Sequence, residues 1–483
     1  MSRSVESVVV CLARVVCVAL LATVWSTASP VDARPLEAAT PAPSDDTAAP
    51  PQRATDHVVL VSIDGLRPEF YLDREWPAPM LQQLVAEGAH AETVESVFPT
   101  VTYPSHTTII TGVRPAQHGI FYNSPFEPEG RTGRWYWEDS LITARTLWDA
   151  VRDGGLKSAS LAWPVTVGAP VDWLIPEVWS LDRDDDFVAH TRERCHPADL
   201  LAEVEREATG RLTENNFTID HMTRDDRAGD IAAYLLETHR PHLLAVHLLA
   251  TDHFQHEDGR DSFRVRRSVG AVDRAISQIY EAAERAGILD RTTFIITGDH
   301  GHIDIHTRLA PNRLLAEAGL MGDSHSERGD WRATFHTTGA SAFLHLRDPE
   351  DHAAVSQVRD LLDGLPVGQR SLFRILGRED LEALGSAPEA ALALALEPGI
   401  HVTSSATRPM VTAAEGATHG YLPDVSPQIY TGLIASGAGI RQGATAAHLR
   451  LTDIAPLIAH LLGLHMPSTD GVVPMGFLEP GTH

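Results

Sequence analysis

Lysine is almost absent from this chain: Lys157 is the only one in 483 residues. A Schiff-base lysine, or a phosphate loop of the G-x-x-x-x-G-K-[ST] kind, therefore has nowhere else to be built. Cysteine is nearly as scarce, with Cys11, Cys17 and Cys195 the whole set. The first two fall in an N-terminal segment with the features of an export signal. The one cysteine left cannot close an internal disulfide, so the fold must hold through its core. Positive charge is also short. With 39 Lys+Arg against 65 Asp+Glu the formal charge is −26, which argues against a nucleic-acid duplex as partner and against attachment to anionic lipid by charge. Aromatic side chains make up only 6%, yet the apolar fraction is 43%, ample for a core and unlike a disordered chain.

Residues 1–33 read as a secretory signal. Arg3 and Arg14 supply positive charge, Val15–Trp25 is apolar except for Thr23, and small residues follow. Val31-Asp32-Ala33 or Ser26-Thr27-Ala28 serves as the cleavage site. The apolar run is short for a bilayer span, and an uncleaved anchor starting near Val8 is the alternative. Cleavage leaves the charge at −26, because Arg3 and Arg14 balance Glu6 and Asp32. The expected destination is the periplasm or the exterior, with no stable membrane partner once the signal is removed. Residues 34–56, rich in Pro, Ala, Asp and Ser, predict a disordered linker.

From His57 the pattern changes. Val58–Ile63 is a continuous, largely β-branched apolar run, typical of a strand buried on both faces of a parallel sheet. Helical periodicity over Pro79–Glu87 ends at Gly88, and a strand follows near Ala91–Val97. The spacing then predicts helices over Thr107–Thr111, Ile142–Asp153, Arg227–Thr238 and Arg264–Ala286, with strands Ser158–Trp163, His242–Leu249 and Thr292–Thr297. Such alternation indicates an α/β fold with a mostly parallel central sheet and helices on both faces. Two stretches, near 175–220 and 317–400, break the rhythm and read as cap insertions. Residues 476–483 read as a tail.

In open parallel sheets ligands bind beyond the carboxyl ends of the strands. Three predicted strands deliver an acidic residue there: Asp64 before Gly65, Asp252 with His256 four residues on, and Asp299 with His300 and His302. Aspartate and histidine suit zinc and other first-row metals. Each element has a plainer reading, as a turn or a solvated helix face, and coincidence at three strand ends is what favours a metal site. In Pro99-Thr100-Val101-Thr102-Tyr103-Pro104-Ser105-His106, Pro104 suits a first helical turn. Thr100, Thr102 and Ser105 are all candidate nucleophiles at the positive end of that helix, or else caps for it.

These residues resemble the type I phosphodiesterase/nucleotide pyrophosphatase branch of the alkaline phosphatase superfamily. The resemblance covers Ser62-Ile63-Asp64-Gly65, the Pro99–His106 segment, His118-Gly119-Ile120, Asp252-x-x-x-His256, Asp299-His300-Gly301 and Thr418-His419-Gly420, and extends from 57 to 475. It implies an alkaline phosphatase-like three-layer sandwich and two divalent ions, most often zinc. One ion would be held by Asp64, Asp299 and His300 with the Thr102 oxygen, the other by Asp252, His256 and His419. Thr102 would be the nucleophile, Asn123 a donor to a phosphoryl oxygen, and Tyr103 an aromatic that stacks on a base. His253, His302 and His306 fall off the motif positions and read as surface or supporting residues. This chain also departs from the family pattern, with Leu248-Leu249-Ala250-Thr251 before Asp252 and Gln255 before His256. The implied substrate is a small phosphodiester or nucleotide. A phosphomonoester, phosphonate or phospholipid headgroup, or a non-catalytic role in binding a phosphorylated ligand, are the alternatives. Only Arg114 lies near the nucleophile as a cation for a monoester dianion, and its loop position suggests the surface.

Overall fold

The apolar run at 57–63 becomes the middle of a sheet. In the computed structural model, which describes residues 53–130, 132–179, 186–322 and 331–481, every residue of strand β1 (His57–Ile63) is buried. Its neighbours are β5 (Leu243–Leu248) and β6 (Thr292–Thr297), both parallel to it. With β2 (Ala89–Glu95), β3 (Ser158–Leu161), β4 (Trp173–Ile175), β7 (Thr431–Gly437) and the short β8 (Thr445–Ala446), the order is β8-β2-β7-β6-β1-β5-β3-β4. Only β7 runs against its neighbours β6 and β2.

Alternation along β1 sends successive side chains to opposite faces. Val59, Val61 and Ile63 pack with Ile231, Leu235, Val269 and Ile276 from helices Thr223–His239 and Phe263–Arg285. Val58 and Leu60 pack with Ile109, Trp148 and Leu457 from helices Thr102–Thr111, Leu147–Asp153 and Ile454–Leu461. The result is helix, sheet, helix, the three-layer α/β arrangement expected.

Several local expectations change. The helix expected from Ile142 starts at Leu147, because Thr146 caps it in a reciprocal box with Asp149. The segment 317–400 contains an antiparallel sheet of strands Ala333–Thr338, Ser341–Leu346, Phe373–Leu376 and Leu392–Leu396. Helix His352–Asp363 covers it, with Phe335, Leu344, Val358 and Leu394 in a separate apolar core. The alternating run Leu392-Ala393-Leu394-Ala395-Leu396 is buried on both faces, so its period carried no polar signal. The segment 175–220 supplies helices Phe187–Arg194 and Leu200–Val204.

The expected signal and residues 34–52 of the expected linker lie outside the described residues. Among the described residues, packing extends upstream of His57: the N–H groups of Ala54 and Thr55 donate to Leu461 O at 2.9 and 3.2 Å. The expected tail is also partly packed, with Phe477 and Leu478 buried in the second helical layer. Among the described residues no helix is long and apolar enough to cross a membrane.

Candidate metal centre and active site

Because β1, β5 and β6 are parallel, their carboxyl ends open on one edge, and Asp64, Asp252 and Asp299 emerge there together. Asp64 leads into a turn at Gly65, which has φ +69° and whose N–H donates to Asp299 Oδ1 at 3.0 Å. A Cβ at position 65 would stand 2.8 Å from both Gln255 Nε2 and the His302 ring, so only glycine fits. After β6, Asp299 Oδ1 also accepts from the His300 N–H at 3.0 Å, and Asp299 Oδ2 lies 3.0 Å from His300 Nε2. After β5, helix Ala250–Asp258 begins on Asp225, whose carboxylate accepts from the N–H groups of Leu249 and Ala250. One turn along it, His256 Nε2 stands 3.4 Å from Asp252 Oδ1. His419 arrives from the loop beyond the cap, its ring stacked on His300 at 3.6 Å and its Nε2 3.6 Å from Asp252 Oδ1.

The imidazoles are oriented from behind. His419 Nδ1 pairs with Thr100 O and His256 Nδ1 with Ala417 O, each at 2.9 Å. Both carbonyls can only accept, so Nδ1 carries the proton and Nε2 keeps its lone pair, the usual arrangement of a metal-ligating histidine. Two groups of donor atoms gather within 4.8 Å: Asp64, Asp252 and His300, and Asp252, His256, His302 and His419. Asp299 belongs to neither group by that measure, although its Oδ2 is next to His300.

Asp64 Oδ1, Asp252 Oδ1, Asp299 Oδ2, His300 Nε2 and both ring nitrogens of His302 are buried with no hydrogen-bond partner. Leaving so many buried polar atoms unpaired is costly, and cations among them remove that cost. Burial, then the charges of Asp252, Asp299 and Glu177, raises the Asp64 carboxyl well above its ordinary range. Burial would lift Asp252 and Asp299 too, but His256 beside one, and His300 beside the other, hold them low. Crowded carboxylates with imidazoles at one buried point fit divalent metal ions.

Beside this centre is a cleft of about 220 Å³ lined by Asp64, Asp252, His256 and His419, with Thr102, Asn123, Trp135, Glu177 and Trp179 among its other walls. The three candidate hydroxyls part company here. The Thr100 hydroxyl donates to Tyr421 O and accepts from the Gly420 N–H, and Ser105 Oγ pairs with Ser96 Oγ. Thr102, the first residue of its helix, lines the cleft, and among the described residues its hydroxyl caps nothing. Asn123 Oδ1 accepts from the Tyr103 N–H at 2.9 Å, which leaves its NH₂ group for a ligand.

Tyr103 departs from expectation. It is fully buried, edge-on to Trp135 at 5.2 Å, with its hydroxyl donating to Glu177 Oε1 at 2.8 Å. It offers no face to a base; Trp135 and Trp179, with ring centroids 6.1 Å apart, form the aromatic wall instead. Glu177 and Trp179 lie in the segment read only as a cap, so nothing in the sequence marked them. His302 was read as surface or support and is at the centre. His247, in the middle of an apolar strand, bridges Asp64 Oδ2 at 3.2 Å and Glu177 Oε2 at 3.0 Å. His253 lies at the cleft near Asp220 and Glu257, His306 is exposed, and the Arg114 guanidinium reaches Ala383 O away from the cleft.

Comparison with known proteins gives the family. The family model for type I phosphodiesterase / nucleotide pyrophosphatase matches residues 58–422. The mouse protein named bis(5′-adenosyl)-triphosphatase enpp4 is 23% identical over 440 residues, which covers 89% of this chain and 81% of that protein. Human ectonucleotide pyrophosphatase/phosphodiesterase family member 5 is 22% identical over 425 residues, 84% of this chain and 74% of that one. The human structure of that member superposes with a TM-score of 0.62 at 18% identity, over 86% of this chain and 97% of its own. A murine structure of an inactive form in complex with AMP gives the same figures. The matched span contains β1, the Thr102 helix, both strand-end Asp-His motifs and His419, and on that ground the chain belongs to the type I phosphodiesterase/nucleotide pyrophosphatase family.

Proposed function

We propose that this chain is an exported, metal-dependent phosphodiester hydrolase that works through a phospho-threonine intermediate on Thr102. The observation that carries the reading is the convergence of Thr102 and Asn123 on the same cleft as Asp64, Asp252, His256 and His419. Asp64, Asp299 and His300 would hold one ion together with the Thr102 oxygen, and Asp252, His256 and His419 the other. Two zinc ions so bound supply positive charge that lowers the pKa of the hydroxyl and neutralises the leaving oxygen.

The protein's own part follows from its geometry. Thr102 Oγ1, its proton given up to solvent, attacks phosphorus, the P–O bond to the leaving group breaks, and a threonyl phosphate forms while the leaving oxygen takes up a proton from water. Water then attacks the same phosphorus from the vacated side and restores the hydroxyl. Asn123, its Oδ1 tied to Tyr103, turns its NH₂ toward an equatorial oxygen. The start of helix Thr102–Thr111 adds the positive end of its dipole. No Arg or Lys is among the residues lining the cleft, and a diester monoanion needs less compensation than a monoester dianion. The names of the relatives, with AMP bound in one, support a nucleotide. Trp135 and Trp179 beside Glu177 would also accept a cationic headgroup. Export rests on the signal-like residues 1–33.

The test compares bis-p-nitrophenyl phosphate, p-nitrophenyl phosphate, a nucleotide phenyl ester and glycerophosphocholine with added zinc. Diester turnover that a chelator stops is expected, and Thr102→Ala should abolish it while metal content stays near normal. More than a few per cent residual activity in that variant rules out Thr102 as nucleophile.

A further inference from the structure

We propose that His302 is a fourth protein ligand at the Asp252 site, which makes that site one carboxylate and three imidazoles. The inference rests on the two-metal reading above and adds a residue to it. Nothing in the sequence separates ligand from bystander here, since His302 is simply the next imidazole after His300 in Asp299-His300-Gly301-His302.

The structure does separate them. His302 is fully buried, and its donor atom falls within 4.8 Å of those of Asp252, His256 and His419. Donors bonded to one ion at about 2.0–2.2 Å must lie within about 4.4 Å of one another, so the group has nearly the required size before any ion draws it together. A supporting role would have His302 donate a hydrogen bond to Asp252. The distance suits one, at 3.0 Å between Nε2 and Oδ1, but the direction does not: neither atom has a hydrogen-bond partner. Two buried polar atoms that stand this close without bonding each other are both left free to share a cation. The other nitrogen is not engaged either, because His302 Nδ1 has no partner and faces the Gly65 backbone. The His256 and His419 rings stand 4.9 and 5.2 Å away, both steeply inclined to it, so three imidazole edges surround one small volume.

With His302 included, one carboxylate and three imidazoles would hold the ion, a donor set suited to zinc and other first-row metals. The experiment uses the full chain loaded with cobalt(II), read by visible absorption and by chelator competition. The expected result is two ions bound, with His302→Ala weakening one of them by more than about 100-fold, beyond the 10–100-fold typical of losing an outer-shell partner. The cobalt band should change in intensity as one donor is lost. His302→Cys should restore tight binding and add a thiolate-to-cobalt charge-transfer band, a signature that no merely structural role produces. Unchanged affinity and spectrum in His302→Ala, or no charge-transfer band in His302→Cys, overturns the assignment while leaving the two-metal reading intact. If the unaltered chain binds no divalent ion, the proposed function itself fails.

Discussion

A single histidine illustrates how much a side chain's surroundings decide. His247 reads as one imidazole in an apolar strand, Leu243–Leu248, and in the fold it ties Asp64 to Glu177. Glu177 also accepts from the Tyr103 hydroxyl, so a cleft-wall carboxylate, a strand histidine and a strand-end aspartate form one chain of contacts. Removing its middle should free Asp64 to rotate: His247→Asn is expected to weaken metal binding by about 10–100-fold, measured by chelator competition. Asn123 belongs to the same scale. Asn123→Ala should lower kcat by about 10²–10³ with metal content unchanged, as expected for losing one preorganised donor to a developing charge. An equal fall in metal content would show that the residue acts on the centre and not on substrate.

At the scale of elements, the strands were more legible than the helices' starting points. Strand Thr292–Thr297 is found where its apolar, β-branched run predicts, because burial on both faces leaves no other reading. The helix begins at Leu147, five residues later than the apolar period from Ile142 suggests, because Thr146 sets the boundary. Thr146 is almost wholly buried and exchanges hydrogen bonds with Asp149. Thr146→Ala should cost about 0.5–2 kcal/mol, seen as a lower urea midpoint with an unchanged slope. The strands of the 317–400 segment are hidden in the sequence for a different reason. They pair antiparallel into a separate sheet, so the strand–helix alternation that marks the rest of the chain is absent from them.

The whole molecule carries a pH dependence written into its buried histidines. Burial pushes His118 and His345 each down to about 3, whereas an unfolded chain takes up their protons near 6.5. The sign is fixed by linkage: below 6.5 the unfolded state binds more protons, so their contribution is full above 6.5 and is lost as pH falls toward 3. Thermal unfolding followed by circular dichroism should therefore show a Tm that declines from pH 6.5 to 4.5. His118→Gln should flatten that decline whatever it does to stability at pH 7.5. A slope that His118→Gln leaves unchanged would assign the acid sensitivity to other groups.

The sequence by itself determined the α/β class and the chemistry at the strand ends, because both are local. A short, β-branched apolar run bounded by turn residues suits an interior strand, and the residue after it falls on the ligand-binding edge. Tertiary structure decided which hydroxyl faces the cleft, that Tyr103 turns inward while Trp135 and Trp179 form the wall, and that His302 joins Asp252. Those choices depend on contacts between distant segments, 74 residues apart for Tyr103 and Glu177 and 321 for Thr100 and Tyr421, and periodicity reports which way a side chain points but never what it meets.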